Sequence, residues 1–270
     1  MAPLSPYELS VRRARRWKNA VTDMWKTQLT ILITVLSLIV AYIFFMILAF
    51  ALDSPVIPFV IGIAAFVAVI AIYVLNWRFY GNVKDWSEYA VERSDAKGIK
   101  LYAMSLLINL IAGVVAFVMQ ILTTPLTTST ISVDTLIFIS RIIGVVGLLM
   151  VISSLIAVIL QGVGLVKLSL SKTLPFQAAK GAKSLLISYV INIIYAFITI
   201  GVVLLEMYSK SFSDDIVVIV LLVGALATAI FYYRGWWLIS KSELEVLPED
   251  ATQSVDPIAN YYAQSTKIEQ

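Results

Sequence analysis

The hydrophobic residues of this sequence fall into six long runs separated by short polar segments. The first run, residues 28–52, carries no charged residue in its second half. At about 1.5 Å of rise per residue, a helix of this length exceeds the roughly 30 Å hydrocarbon core of a bilayer. Five comparable runs follow at about 55–77, 101–122, 142–166, 184–205 and 216–239. The pattern predicts an all-α fold class, a polytopic membrane helix bundle with six transmembrane helices.

The segment before the first run, residues 1–26, has an amphipathic pattern of its own. Helical spacing places five mostly apolar residues on one stripe: Ala14, Trp17, Val21, Met24 and Trp25. Five basic residues lie alongside: Arg12, Arg13, Arg15, Arg16 and Lys18. We expect an N-terminal amphipathic interfacial helix whose basic side chains bind lipid headgroups. The sharper alternative for so many arginines is nucleic-acid binding, and we retain nucleic acid only as a transported polymer.

The polar segments complete the predicted organisation. Residues 78–100 mix basic, acidic and aromatic side chains, which predicts a water-facing loop with a short surface helix around 83–93. Residues 27–240 then form the transmembrane domain. Residues 241–270 are mostly polar and contain two prolines, which predicts a disordered or loosely attached cytoplasmic tail.

Composition supports the membrane assignment and removes several kinds of chemistry. Hydrophobic residues make up 60% of the chain and charged residues 14%, against about 45–50% and 25% in soluble proteins. Cysteine and histidine are both absent, which removes disulfides, thiolate nucleophiles, the usual zinc ligands and histidine proton relays. We therefore expect no cofactor, no metal site and no catalytic residue.

The charges are distributed unevenly between the two sides of the predicted bundle. If both termini are cytoplasmic, 18 of the 20 Lys and Arg residues lie in inner segments, and only Arg141 and Lys210 lie elsewhere. Cytoplasmic segments near membrane spans are enriched in Lys and Arg. The distribution predicts a multi-pass protein of the plasma membrane with both termini in the cytoplasm.

Few polar residues lie inside the predicted spans. The candidates are four amides, Asn109, Gln120, Gln161 and Asn192, together with two interfacial charges, Arg141 and Glu206. Lys100, Ser105 and Asn109 recur at the same spacing as Lys183, Ser188 and Asn192, which would place the two asparagines at matching depth in a degenerate repeat. Packing through amide hydrogen bonds is one interpretation. The lining of a polar passage is the other.

The absence of several motifs narrows the range of functions that this sequence can have. The sequence has no HExxH, GxxxxGK[ST] or GxGxxG motif, so neither an enzyme nor a self-contained nucleotide motor is expected. The remaining hypothesis is a non-enzymatic subunit of a transport or macromolecule-transfer channel, with membrane lipids, other membrane proteins or a cytoplasmic ATPase as partners. A membrane scaffold without conduction is the alternative.

Two resemblances bear on this choice. In architecture alone, an amphipathic N-terminal helix followed by six spans resembles a permease half of an ABC exporter, although the short SKSFSDD link between spans five and six departs from that pattern. The stretches KGIKLYAMSLLINLIAGVV and IIGVVGLLMVISSLIAVILQGVGLVKLS resemble archaeal multi-pass proteins of a family without assigned function, over about residues 78–205. That second resemblance implies an archaeal plasma membrane and no particular activity.

Overall fold

The computed structural model describes residues 5–52, 56–90, 93–123, 133–208 and 214–247. These residues form six α-helices and, within those ranges, no strand. The helices are α1 (Pro6–Leu52), α2 (Val56–Tyr89), α3 (Arg93–Thr123), α4 (Val133–Ser169), α5 (Phe176–Tyr208) and α6 (Asp214–Ser240).

Each predicted hydrophobic run lies within one of these helices to within a residue or so. All six helices are long and apolar enough to cross a membrane. The all-α class and the six candidate spans are therefore confirmed, and the fold is that of a multi-pass membrane protein.

The helices extend beyond the hydrophobic runs, and one prediction was wrong for this reason. Residues 78–89 are not a loop with a separate surface helix, because α2 continues through them to Tyr89. The continuation carries its own apolar side, since Val83 and Trp86 are buried. After Ala90 and two residues outside the described ranges, α3 begins at Arg93.

Helix α1 likewise runs without interruption through the predicted interfacial segment and the first span. A separate N-terminal interfacial helix is therefore not seen. Three members of the apolar stripe, Trp17, Val21 and Met24, are completely buried inside the protein. Their burial explains the amphipathic pattern by packing within the chain.

The chain divides into two compact units. Unit 1 comprises residues 1–28, 82–99 and 165–270, and unit 2 comprises residues 29–81 and 100–164. Lys and Arg outnumber Asp and Glu in the described part of unit 1. We call the part of unit 1 that holds the first half of α1, the end of α2 and the end of α6 the basic end.

In unit 2, α2 and α3 pack through aromatic rings. The ring of Phe117 lies 5.8 Å from that of Phe66 and 6.4 Å from that of Tyr73, measured between centroids. Gly113 allows this approach, because a Cβ atom there would come within 2.5 Å of the Tyr73 hydroxyl oxygen. A side chain at position 113 would displace the Tyr73 ring.

Candidate functional site at the basic end

Three tryptophans from α1, α2 and α6 form the centre of the basic end, and we call them the tryptophan core. The Trp17 and Trp86 rings meet edge to face, with centroids 5.5 Å apart. The Trp86 and Trp236 rings do the same at 6.5 Å. All three side chains are at most 1% exposed. Buried aromatic pairs of this kind add to the free energy gained by burying apolar area, so the tryptophan core fixes three helices to one another.

The chain beyond α6 lies along the first half of α1. The Trp17 indole N–H donates to Ser242 Oγ at 3.0 Å. Lys18 Nζ lies 2.9 Å from Glu243 Oε1, and further along, the Leu247 amide donates to Ser10 Oγ at 3.2 Å. Residues 241–247, which belong to the predicted loose tail, are therefore held against α1. The rest of that tail lies outside the described residues.

The five basic residues from Arg12 to Lys18 of α1 divide into two groups. Arg13 Nε donates to the carbonyl oxygen of Tyr89 at 3.1 Å, and Arg13 Nη2 donates to the carbonyl of Ala90. These carbonyls lie at the C-terminus of α2, where helix carbonyls lack partners and a cation is favourable. Arg13 and Lys18 therefore stabilise the fold, Arg13 through these carbonyls and Lys18 through its ion pair with Glu243.

The second group faces outward. Arg12, Arg15 and Arg16 are exposed, and the Arg16 guanidinium lies 5.7 Å from the centroid of the Tyr89 ring. Such a cation–π contact leaves the guanidinium hydrogens available to an anion. These three arginines are the part of the predicted basic face that can bind an external partner.

One buried carboxylate also lies in unit 1. Asp95, in the first turn of α3, is 2% exposed and accepts a hydrogen bond of 2.7 Å from Thr173 Oγ1. Ser171 Oγ in turn accepts hydrogen bonds from the amides of Thr173 and Leu174. This arrangement ties the start of α3 to the turn between α4 and α5. It resembles a structural cap more than a reactive centre, because a carboxylate near a helix N-terminus is stabilised there.

Helices α5 and α6 pack closely and antiparallel. Ser184 Oγ donates to the carbonyl of Phe231 and Ser188 Oγ to that of Thr228, both at 2.8 Å. A Cβ atom at Gly181 would come within 2.6 Å of the carbonyl oxygen of Gly235. Small residues and serine hydroxyls are the usual means of close packing in membranes.

The predicted intramembrane amides take no part in such bonds among the described residues. Asn109 and Asn192 are exposed, Gln161 is partly exposed, and the Gln120 side chain lies outside the described residues. Asn109 lines an open groove of about 450 Å³ between α2 and α3, with Tyr73 and Asn76 among its other walls. The matching depth of Asn109 and Asn192 stays a prediction.

The predicted repeat is not reproduced in the bonding of its serines. Ser188 bonds the neighbouring helix, whereas Ser105 Oγ donates to the Tyr102 carbonyl within its own helix. Of the two interfacial charges, Arg141 is exposed and the Glu206 side chain lies outside the described residues.

Sequence reasoning missed the pairing of Gly181 with Gly235 and the role of Ser184. A signal was present in the spacing of Gly181, Ser184 and Ser188, which places small residues at i, i+3 and i+7 on one face of α5. The tryptophan core left a weaker signal, because its members are far apart in sequence.

Comparison with known proteins adds no relative: no family model matches the sequence, and no curated protein or solved structure matches it. The fold alone therefore defines the class, a multi-pass helical membrane protein with a packed basic end. The archaeal resemblance rests only on the sequence stretches quoted above.

Proposed function

We propose that this protein is a non-enzymatic membrane subunit of a transport or macromolecule-transfer assembly that a separate partner energises. The observation that carries the proposal is the exposure of α4. Between Ser140 and Val163, Ala157 is the only buried side chain. A channel formed by this chain alone would use its spans to surround a passage, whereas the less exposed residues of α4 form a single stripe and the rest of its circumference faces outward.

The composition of α4 favours a protein neighbour over lipid alone. A Cβ atom at Gly144 or Gly147 would meet nothing within 4 Å. Glycine costs up to about 1 kcal/mol relative to alanine inside a helix, and in a span it is commonly offset by close approach of a second helix. Two such glycines one turn apart, with no neighbouring atom among the residues that the structure describes, support packing against another membrane protein.

The basic end supports a cytoplasmic partner. The exposed arginines Arg12, Arg15 and Arg16 provide positive charge for an ATPase with an acidic surface or for an anionic polymer in transit. The distribution of Lys and Arg favours both termini in the cytoplasm, so this surface would face the cytoplasmic nucleotides. The chain itself has no nucleotide-binding motif, so a partner would have to hydrolyse them.

The experiment places a photo-crosslinking amino acid at Leu148 of α4 in native membranes. The matched control is Leu36 of α1, which is also an exposed leucine but lies in a helix that contains no glycine. We expect a protein adduct from position 148 and none from 36. An ATPase recovered with that adduct supports an energised assembly, and membrane proteins alone support the scaffold alternative. A chain that gives no adduct and conducts a solute unaided in liposomes contradicts the proposal.

Orientation is tested by single cysteines and a membrane-impermeant thiol reagent. Cysteines replacing the exposed Lys97 and Lys172 should stay unlabelled in intact cells. Cysteines at Ser54, Ser129 and Ser211, which lie outside the described residues, should be labelled. Ser87 is a poor position because its side chain is buried. Labelling at 97 or 172 from outside would reverse the proposed topology.

A further inference from the structure

Two cations flank a close contact between α5 and α6. Gly181 faces Gly235 at this contact, and Lys180 and Arg234 each precede one of these glycines by one residue. One residue corresponds to about 100° around a helix. Because the helices are antiparallel, equal steps back from the two facing residues lead to the same side of the pair. Lys180 and Arg234 therefore lie on one side of the α5–α6 pair, at nearly the same level.

No described residue forms an ion pair with either of these two cations. Both side chains are exposed, and the side chains that the structure describes in α5 and α6, at 176–201 and 222–240, include no Asp or Glu. Lys180 Nζ lies 6.0 Å from the Phe176 ring centroid, and Arg234 makes no hydrogen bond or ion pair with any described residue. The pair lies one to two helical turns inside the ends of the helices. Arg234 lies within the predicted span 216–239, where a cation is costly unless an anion or water reaches it, and Lys180 lies four residues before the predicted span 184–205.

The surface on the hydrocarbon side of this pair is apolar. Ile187 follows Lys180 by seven residues and Ile230 precedes Arg234 by four, so each lies on the same side as its cation and further into the span. Both isoleucines are exposed, at 45% and 56%. The two cations could bind the headgroup of a phospholipid, and the apolar surface beside them could contact its acyl chains.

We propose that Lys180 and Arg234 form a binding site for the headgroup of an anionic phospholipid whose acyl chains lie against Ile187 and Ile230. Arginine can bind phosphate oxygens in a bidentate manner and lysine adds a point charge. A lipid fits better than a protein carboxylate, because the two cations match its headgroup and the exposed isoleucines beside them match its acyl chains. The site depends on the membrane character of the fold and not on the proposed transport role.

The test measures lipid binding to the purified full chain by native mass spectrometry, with phosphatidylglycerol and phosphatidylcholine offered together. The variant K180Q/R234Q should lose affinity for phosphatidylglycerol by about thirtyfold, since each cation contributes roughly fivefold, while phosphatidylcholine binding changes little. The control K84Q/K97Q removes two exposed lysines elsewhere in unit 1 and should behave as wild type. The charge-preserving variant K180R/R234K should retain the preference.

Three results would overturn the proposal. Equal losses in K180Q/R234Q and K84Q/K97Q would mean diffuse attraction to the whole basic end. An unchanged preference in K180Q/R234Q would place the lipid elsewhere. Displacement of phosphatidylglycerol by millimolar glycerol phosphate, which lacks acyl chains, would show a site for soluble phosphate compounds. Melting curves of all variants should match wild type, because the altered side chains are exposed. They show that a loss of lipid binding is not caused by a folding defect.

Discussion

The two halves of α1 belong to one uninterrupted helix and behave in opposite ways. In the first half, up to residue 28, Trp17, Val21 and Met24 are completely buried. In the second half, from Leu29 to Ile47, no side chain is buried. The helix is thus part of a packed core at the basic end and an exposed span beyond it.

The difference lies in the solvent that each half meets. In water, apolar residues gain free energy by leaving the solvent, so the stripe on the first half must face protein. In a bilayer the lipid tails are as apolar as leucine, and burial of apolar surface gives no comparable gain. The second half can therefore stay exposed at no cost. An exposed apolar side chain has a different meaning in each half.

The largest expected effect is on the free energy of unfolding, and it should differ between the two halves of α1. Trp17→Ala should lower the free energy of unfolding by about 3–5 kcal/mol, because it leaves a cavity in the tryptophan core. Phe44→Ala, an aromatic truncation in the same helix at a side chain 59% exposed, should cost less than about 1 kcal/mol because lipid fills the space. Unfolding by SDS in mixed micelles measures both. Similar losses would mean that the two halves are equally packed.

A smaller effect on the free energy of unfolding should distinguish Arg13 from Arg12 in the first half of α1. Arg13→Gln removes the donors to the Tyr89 and Ala90 carbonyls and should cost about 1–3 kcal/mol, with faster hydrogen exchange at the end of α2. Arg12→Gln changes an exposed neighbour and should leave unfolding and exchange unchanged. If Arg12→Gln were the more harmful variant, the outward group would have a structural role as well.

The sequence predicted the spans well because length and apolarity alone decide whether a helix can cross a bilayer. The same uniform apolarity gave no information on which side of a span meets protein. Asn109 and Asn192 could therefore be interpreted either as packing residues or as the lining of a polar passage, and both are exposed. Ser184 and Gly181, which do pack, look unremarkable in a run of small and apolar residues.

The basic end was harder to predict for another reason. Its core joins Trp17, Trp86 and Trp236, and the pairing of residues so distant in sequence follows from the tertiary fold and not from local periodicity. The amphipathic stripe on α1 was correctly recognised, but lipid and protein are equally apolar partners for such a stripe. Only the tertiary fold distinguishes them, and in this fold Trp17 is surrounded by protein.

The smallest effect concerns the ion pair that joins α1 to the segment after α6. The hydrogen bond from Lys18 and the attraction of its charge hold the pKa of the Glu243 carboxyl below its ordinary value of 4.5. A carboxyl whose pKa is lowered by folding stabilises the fold above its unfolded-state pKa, and this contribution is lost as the pH falls through the folded-state value. Both side chains are largely exposed, so the contribution is small and salt weakens it.

Glu243→Gln should therefore lower the unfolding midpoint slightly at pH 7 and low salt, and the difference from wild type should vanish as the pH falls below the lowered folded-state pKa of Glu243. High salt should reduce the difference at pH 7 as well. Glu245→Gln is the matched control, because Glu245 is exposed and makes no ion pair with a described residue. A pH-independent loss in Glu243→Gln would show that packing of the segment, and not its charge, holds it against α1.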